Sequence, residues 1–538
     1  MSGRNKSIGF AVLSIVFVLA AGIVVSGCGG GAAPKPAKVY KVTFEASGGE
    51  PVPEAQLVEA GSKIELPKAM ARTKFTFSGW YKDLDCTEPW DFARDTVESD
   101  IILFANWKSA AGKSGGGGGG GSSGNNGPSS SGPPTPPNPP SSGTGATIYG
   151  RTITLGAGDA YFYAAAADSA SNVYAVGLQG PGSYTYGTGV STAGTTPNDN
   201  PVLVKYSPSG DAQWARSLEA GTTGSMGGFY AVAVDSSGNV YAAGFQDGAG
   251  SSYTYGTGVS VAGTASSNNP VLVKYSPSGN AQWARSLEAG GTGASFSAVA
   301  VDSAGNVYAV GLQSPGSYTY DVGVSVAGTA SSNNPVLVKY SPSGAAQWAR
   351  SLEADGTNVY FDAVAVDSSG NVYAAGIQYD SGPYTYGTGV SVAGAAPINP
   401  VLVKYSPSGA AQWARSLEAD GTEARFDAVA VDSAGNVYAA GYQKGTGPYT
   451  YGTGVSVTGA AIYNPMLLKY DSGGVAQWVR SLEAGTTGTS ALFNGLALSS
   501  GNAYAVGSQE GTDDYDYGSG QILTGSSTGY NPVLVKYN

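Results

Sequence analysis

The residues able to do chemistry in this 538-residue chain recur at intervals instead of gathering at one point. Lys404, Arg415, Glu418 and then Asp432 mark one unit, and counterparts of each return along nearly everything after residue 146. There is no His, which removes the commonest general base and metal ligand and leaves carboxylate pairs, Tyr and Lys as the remaining acid–base groups. The repeated charges fit either a charged ring lining a channel or a hydrogen-bond and ion-pair network built into every unit. Because all copies carry them equally, the network is the expected role. The stretch Asp367-Ser-Ser-Gly-Asn371 could serve as a calcium loop, but it has few carboxylates and the same residues suffice for a hairpin turn, so no metal is expected. Catalysis needs differing groups converging on one point, and the units are read as alike in acid, base and nucleophile. No catalytic residue, cofactor or enzymatic activity is therefore expected.

The candidate binding residues are Tyr-x-Tyr pairs, one per unit: Tyr184/Tyr186, Tyr253/Tyr255, Tyr318/Tyr320, Tyr384/Tyr386, Tyr449/Tyr451 and Tyr515/Tyr517. On a strand, both rings of a pair point to one side. Exposed, they would form an amphipathic crown for stacking on sugars or anchoring protein loops; folded inward, they would seal the seams between units.

The elements that position these residues follow from the period. Asn-Val-Tyr-Ala at Asn172, Asn239, Asn306, Asn371 and Asn436, Lys-Tyr from Lys205 to Lys536, and Trp214, Trp283, Trp348, Trp413 and Trp478 all step by 65 to 69 residues. Within one copy, Asp362–Asp367 and Asn371–Gln378 are short apolar runs joined by Ser-Ser-Gly, which supplies the positive φ of a tight hairpin. Pro400–Tyr405 and Gln412–Glu418 form a second pair across a Pro- and Gly-bearing turn. No window shows helical spacing. Four antiparallel strands per unit, repeated, predict an all-β fold, a six-bladed β-propeller of four-stranded blades. Tyr149–Gly156 aligns with Trp413–Asp420, so the N-terminal strand is expected to close the last blade and remove two exposed sheet edges. Loops that vary between copies follow the second and fourth strands, which places them on one face, and the connection after the second strand is long enough to hold an extra hairpin.

Asp-Ser-x-Gly-Asn-x-Tyr at Asp235–Tyr241, Asp302–Tyr308, Asp367–Tyr373 and Asp432–Tyr438 resembles the bacterial SBBP-type β-propeller repeat, a family whose name implies seven blades where six are counted here. Residues 1–27 read as a lipoprotein signal peptide: Arg4 and Lys6, an apolar run, then Val25-Ser-Gly-Cys28, which resembles a lipobox. Cys28 is the expected lipid attachment site, which leaves Cys86 without a disulfide partner. Residues 28–37 form a tether. Residues 38–108 carry Val42–Gly49, Phe75–Tyr81, Trp90–Phe92 and Ile101–Trp107, which resemble the internalin-type B repeat of bacterial surface proteins; the resemblance implies a small β-grasp-like domain cored by its aromatics. The alternation Val42/Phe44 and Phe75/Phe77 independently predicts half-buried strands. Residues 109–146, with a seven-Gly run and a Pro-rich stretch, form a linker that spans ~120 Å when extended and roughly 35 Å as a coil.

Residues 147–538 hold 14 Lys and Arg against 26 Asp and Glu, a net −12, which excludes the basic footprint of a nucleic-acid partner. The expected protein is an exported monomer, lipid-anchored at the cell surface and held in the outer membrane if the cell has two membranes. It would present the propeller to a protein or glycan ligand. A structural scaffold or spacer without a ligand is the alternative, and an exported glycan-active enzyme the third.

Overall fold

The computed structural model describes residues 38–109, apart from 47–52, 54, 69, 73, 74, 83–87 and 100, and residues 152–538, apart from 154, 155, 157, 222–225 and 486–488. Cys28, Cys86 and the Gly/Pro linker, with the expectations placed on them, lie outside the described residues. Every regular element among the described residues is a β-strand. The chain separates into two compact units, one within residues 23–143 and the other carrying residues 144–538.

In the N-terminal unit β1 (Val39–Glu45), β2 (Gln56–Glu59), β3 (Phe75–Tyr81) and β4 (Ile101–Ser109) form a sheet in the order β2-β1-β4-β3, with β1 and β4 parallel. Val42 and Phe44 alternate inward from β1 and meet Trp80, Trp90, Leu103 and Ala105 in the core. Strand β3 departs from the expected pattern, because Phe75 and Phe77 are each 37% exposed. They pair with Ser109 and Trp107, beyond the stretch of β4 that β1 flanks, so that end of the sheet has less cover. A bulge between Phe77 and Gly79 turns Trp80 to the core face, opposite Ala105, and Phe77 is left packing edge-on against Trp80 and Trp107.

Six sheets follow one another in the second unit. Sheet 4 is representative: Val359–Val366, Val372–Tyr379, Ile398–Tyr405 and Ala411–Arg415 lie side by side in chain order, all antiparallel. Sheets 1, 2, 3 and 5 repeat this plan, and sheet 6 has three strands, Ala491–Ser499, Asn502–Glu510 and Tyr530–Tyr537. The expected extra hairpin is present after each second strand, as in Pro383–Gly387 with Val390–Ala393. Each first strand carries a bulge just after its Phe, and the residue opposite that Phe is Gly. The reason is space, since a Cβ on Gly376 would lie 2.2 Å from the Tyr360 carbonyl oxygen.

Consecutive sheets stack face to face, and the apolar residues sort into clusters shared between neighbours. Leu337, Tyr308 and Val310 of sheet 3 meet Phe361, Val372 and Val403 of sheet 4, and the same pattern recurs at the other four junctions. Each fully buried Leu or Val contributes about 1.5–3 kcal/mol relative to exposure, so a sheet too thin to fold alone is held by its neighbours. Of the strand expected to close sheet 6, only Thr152, Ile153 and Gly156 are described.

Candidate functional site

The Tyr pairs are core, not crown. Tyr184, Tyr186, Tyr253, Tyr255, Tyr318, Tyr320, Tyr384, Tyr386, Tyr449, Tyr451, Tyr515 and Tyr517 are all at most 2% exposed, which decides between the two expected roles for the inward one and removes these residues as candidate ligand-binding residues. In sheets 2 to 6 the hairpin that carries the pair folds down over the junction with the preceding sheet, and in sheet 1 Tyr184 and Tyr186 pack within their own sheet and against Ile153. In sheet 4, Tyr386 stacks on Phe361 at 6.2 Å and donates its hydroxyl to Gln378 Oε1 at 3.1 Å, while the Tyr384 hydroxyl donates to the Tyr379 carbonyl. A Gln accepts from the second Tyr in every unit. Burial raises the Tyr255, Tyr320, Tyr386 and Tyr451 phenols well above their ordinary pKa, so they stay neutral donors. The Gly-rich hairpins have few other apolar side chains with which to hold themselves down.

The repeated Lys, Trp and Arg form clamps between sheets. Lys339 Nζ and Trp348 Nε1 each donate to the Pro407 carbonyl at 3.2 Å, and Arg350 donates from Nε to the Gly409 carbonyl at 2.6 Å and from Nη2 to the Ser408 carbonyl at 3.2 Å. These acceptors belong to the turn of the next sheet, and the same set recurs from Lys205, Trp214 and Arg216 and from Lys274, Trp283 and Arg285. The partners are backbone carbonyls, so the charges serve as strong donors and not as a channel lining. The turn Asp is likewise engaged. Asp367 Oδ1 accepts from the Ser369 and Asn371 amides, and Oδ2 from Asn371 Nδ2 at 2.8 Å and the Tyr373 hydroxyl at 3.0 Å. At Asp168, burial works against the carboxylate, but the bonds from Asn172 and Tyr174 prevail and hold its pKa below the ordinary value.

One constellation is not repeated. The residue just after the bulge-flanking Phe reads Tyr163, Tyr230, Ser297, Asp362, Asp427 and Asn494 through the six sheets, and the residue just before it reads Tyr161, Gly228, Ser295, Tyr360, Arg425 and Leu492. The units therefore do differ in charged groups, contrary to the expectation that no copy stands apart. Arg425 Nη2 lies 2.5 Å from Asp427 Oδ1 and 3.4 Å from Asp362 Oδ2 of the neighbouring sheet, with Asp362 and Asp427 only 8% and 4% exposed. Arg425 Nε is buried without a partner, and so is Asn494 Oδ1 in the next sheet. Burial drives the Asp362 carboxyl up, Arg425 pulls it down and Asp427 pushes it up again, leaving it at about 7. Around the triad stand Tyr360, 3.4 Å from Tyr379 between hydroxyls, and Tyr442, whose ring lies 5.8 Å from the guanidinium and whose hydroxyl donates to Glu423. In sheets 1 and 2 the same positions hold aromatics, with Tyr163 and Tyr230 5.7 Å apart and Tyr230 5.3 Å from Phe245.

The chemical capacity of this arrangement is a proton held near neutrality beside a guanidinium and aromatic walls, a set suited to polar recognition. The sequence carries a signal for it. Asp362-Ala-Val-Ala-Val-Asp367 reads as a typical strand, yet only two of six copies have Asp at its first position. Sheets 4 and 5 also flank a cleft of ≈ 500 Å³ on their outer side, lined by Val392, Arg415, Glu418, Tyr451 and Val475 among others.

Residues 40–106 match the Listeria-Bacteroides repeat domain family, which covers the N-terminal unit and leaves the sheet array unmatched by that model. Two relatives from Evansella cellulosilytica, both named as membrane proteins and one of them as Gly-rich, are 44% identical over 70 and 69 residues. Each alignment covers 13% of this chain and 10% or 8% of the relative, so the chain spans about a tenth of the curated relatives it matches. Among solved structures, a protein of unknown function from Bacteroides caccae covers 60% of this chain and 81% of its own at 12% identity with a TM-score of 0.28. One from Dyadobacter fermentans covers 69% and 94% at 9% identity with a TM-score of 0.30.

Proposed function

We propose that this chain is an exported recognition protein, tethered by a lipid on Cys28, whose sheet array is a six-bladed β-propeller of the SBBP type closed by its own N-terminal strand. It binds a surface protein or glycan and catalyses nothing. The observation that carries the reading is the contrast between copied and uncopied residues. The Tyr pairs recur in all six units, the turn carboxylates in sheets 1 to 5 and the clamps from sheets 1 to 4, and all are consumed by folding, whereas Asp362, Arg425 and Asp427 form a buried polar cluster where sheets 2 and 3 manage with Tyr230 and Ser297. Buried ion pairs cost desolvation and are replaceable by apolar residues, so the fold alone gives no reason to keep them. The Listeria-Bacteroides repeat unit fits a spacer that presents the array away from a surface, and the relatives named as membrane proteins support that placement.

The test is a panel of glycans and extracellular-matrix proteins presented to the full chain and to its Arg425→Gln variant. Binding that the substitution weakens at least tenfold supports recognition through the cluster. Silence of the full chain across the panel sinks recognition in favour of a scaffold, and turnover of a glycan sinks the claim that it is not an enzyme.

A further inference from the structure

The junction of sheets 1 and 2 carries a ladder of aromatic rings with acid beside it and no cation. Tyr161 and Tyr163 lie 5° from parallel with ring centroids 6.4 Å apart, Tyr163 is 5.7 Å from Tyr230, and Tyr230 stacks on Phe245 at 5.3 Å. Tyr163 and Tyr230 are half-buried, and Tyr161 is 52% exposed. Burial raises the Tyr163 and Tyr230 phenols above their ordinary pKa, and the Asp199 carboxylate adds to the rise in each, so its charge is felt at both hydroxyls. Burial raises Asp199 in turn, with Asp159 adding to it. Residues 159–285, which build these two sheets, hold four cations, and all stand elsewhere: Lys205, Arg216, Lys274 and Arg285 lie over Tyr174, Trp214, Tyr241 and Trp283.

The junction of sheets 4 and 5 shows what completes such a set. Tyr163, Tyr230 and Phe245 hold the positions that Asp362, Asp427 and Tyr442 hold there. At that junction Arg425 bridges the two carboxylates, with its guanidinium 5.8 Å from the Tyr442 ring. In sheet 2 the position of Arg425 is Gly228, and a Cβ there would lie 3.2 Å from Phe245 Cε1. The Phe245 ring closes over the space, so this chain places no cation of its own at the rings from that position. What remains is a set of π faces and, among the described residues, a carboxylate that no Lys or Arg pairs, on an array of net charge −12. A ring face attracts a cation within ~6 Å, and a carboxylate alongside fixes a guanidinium through paired hydrogen bonds.

We propose that the surface formed by Tyr163, Tyr230 and Asp199 binds an arginine presented by another polypeptide, its guanidinium stacked on the rings with Asp199 as counter-ion. Arginine fits better than lysine because its planar, weakly hydrated head stacks on an aromatic face. The site is separate from the Arg425 cluster, lies wholly within one junction, and depends neither on a glycan nor on closure of the array.

Calorimetric titration of the full chain with acetyl-Gly-Arg-Gly-Arg-Gly amide, and with the same peptide carrying citrulline for arginine, tests this. Citrulline keeps the shape and replaces the charged head with a neutral urea. The arginine peptide should bind roughly tenfold or more tightly than its citrulline counterpart. Asp199→Asn and Tyr163→Leu should each weaken the arginine peptide roughly threefold or more, whereas Tyr163→Phe, which keeps the π face, should bind it as the unsubstituted protein does. Arg425→Gln should leave this binding unchanged. Equal affinity for the two peptides, or no binding of either, would overturn the proposal, and because that comparison needs no substitution, an unstable variant does not spare it. Binding that Tyr163→Leu leaves intact would reduce the effect to attraction by net charge and would also overturn it, as would a loss on Arg425→Gln. Failure here leaves recognition through the Arg425 cluster standing, because that reading is tested at Arg425 and not at these residues.

Discussion

Asp362 gives the sharpest test of how the charged cluster is built. Its carboxyl stands at about 7 in the folded protein against 3.8 for the free group, because burial outweighs the attraction of Arg425. The folded state therefore holds a proton that the unfolded chain gives up, and the sign follows from linkage. The contribution of Asp362 to stability is whole below pH 4 and is lost progressively as pH rises from about 4 to about 7. A rise of that size, at ~1.4 kcal/mol for each pH unit, sets an upper bound of about 4 kcal/mol over the whole window, of which roughly 2–3 kcal/mol is left to be lost between pH 5 and pH 8. Asp362→Asn removes the titration and keeps an acceptor for Arg425 Nη2. Denaturant melts of the unsubstituted protein and of D362N, each run at pH 5 and pH 8, supply the comparison. The unsubstituted protein should lose about 2 kcal/mol more than D362N between the two pH values, since the carboxylates away from the Arg425 cluster titrate alike in both. Equal losses, or a larger loss in D362N, would refute the desolvation argument and place Asp362 in a wetter setting than its 8% exposure implies.

Three further outcomes follow from packing and anchoring. Replacing one Tyr pair, Tyr384→Ala with Tyr386→Ala, removes two rings at 1% exposure and should cost on the order of 3–5 kcal/mol per ring in that region, seen as a lower melting temperature; an unchanged melt would return the rings to solvent. Gly409→Ala places a Cβ 2.8 Å from Trp348 at φ +82°, in the clamp between sheets 3 and 4, and should destabilise by at least ~1–2 kcal/mol, with exchange rising at that junction first; a neutral result would mean that the clamp is loose. Cys28→Ala should leave an unprocessed precursor and shift the protein out of detergent-phase fractions, and a variant that matures and partitions normally would remove the lipid from the account.

The strands, their turns and their period were legible in the sequence because each is a local matter: alternation, a Gly with positive φ, a recurring Trp. Gly370 and its counterparts take φ near +80° where the hairpins require it, and in sheet 1, which has no Gly in that turn, Ser171 adopts φ 61° instead. Period also pointed to Lys, Arg, Glu and Asp as a network built into the units, since a residue that returns from unit to unit serves what the units share, but that Trp joins Lys and Arg on one turn came only from the structure. What period could not tell is direction. Tyr384 and Tyr386 share one side of a strand in either reading, and only the fold of their hairpin over the junction with sheet 3 decides that the side is inward. The same limit hid the charged triad. Arg425 and Asp427 lie close in the chain, but Asp362 is 63 residues from Arg425, and the two meet because successive sheets stack their first strands together. Chain sequence fixes which residues repeat, and stacking fixes which repeats touch. A group such as Asp362 acquires its unusual proton affinity only from that stacking, through the water it loses and the one guanidinium it gains.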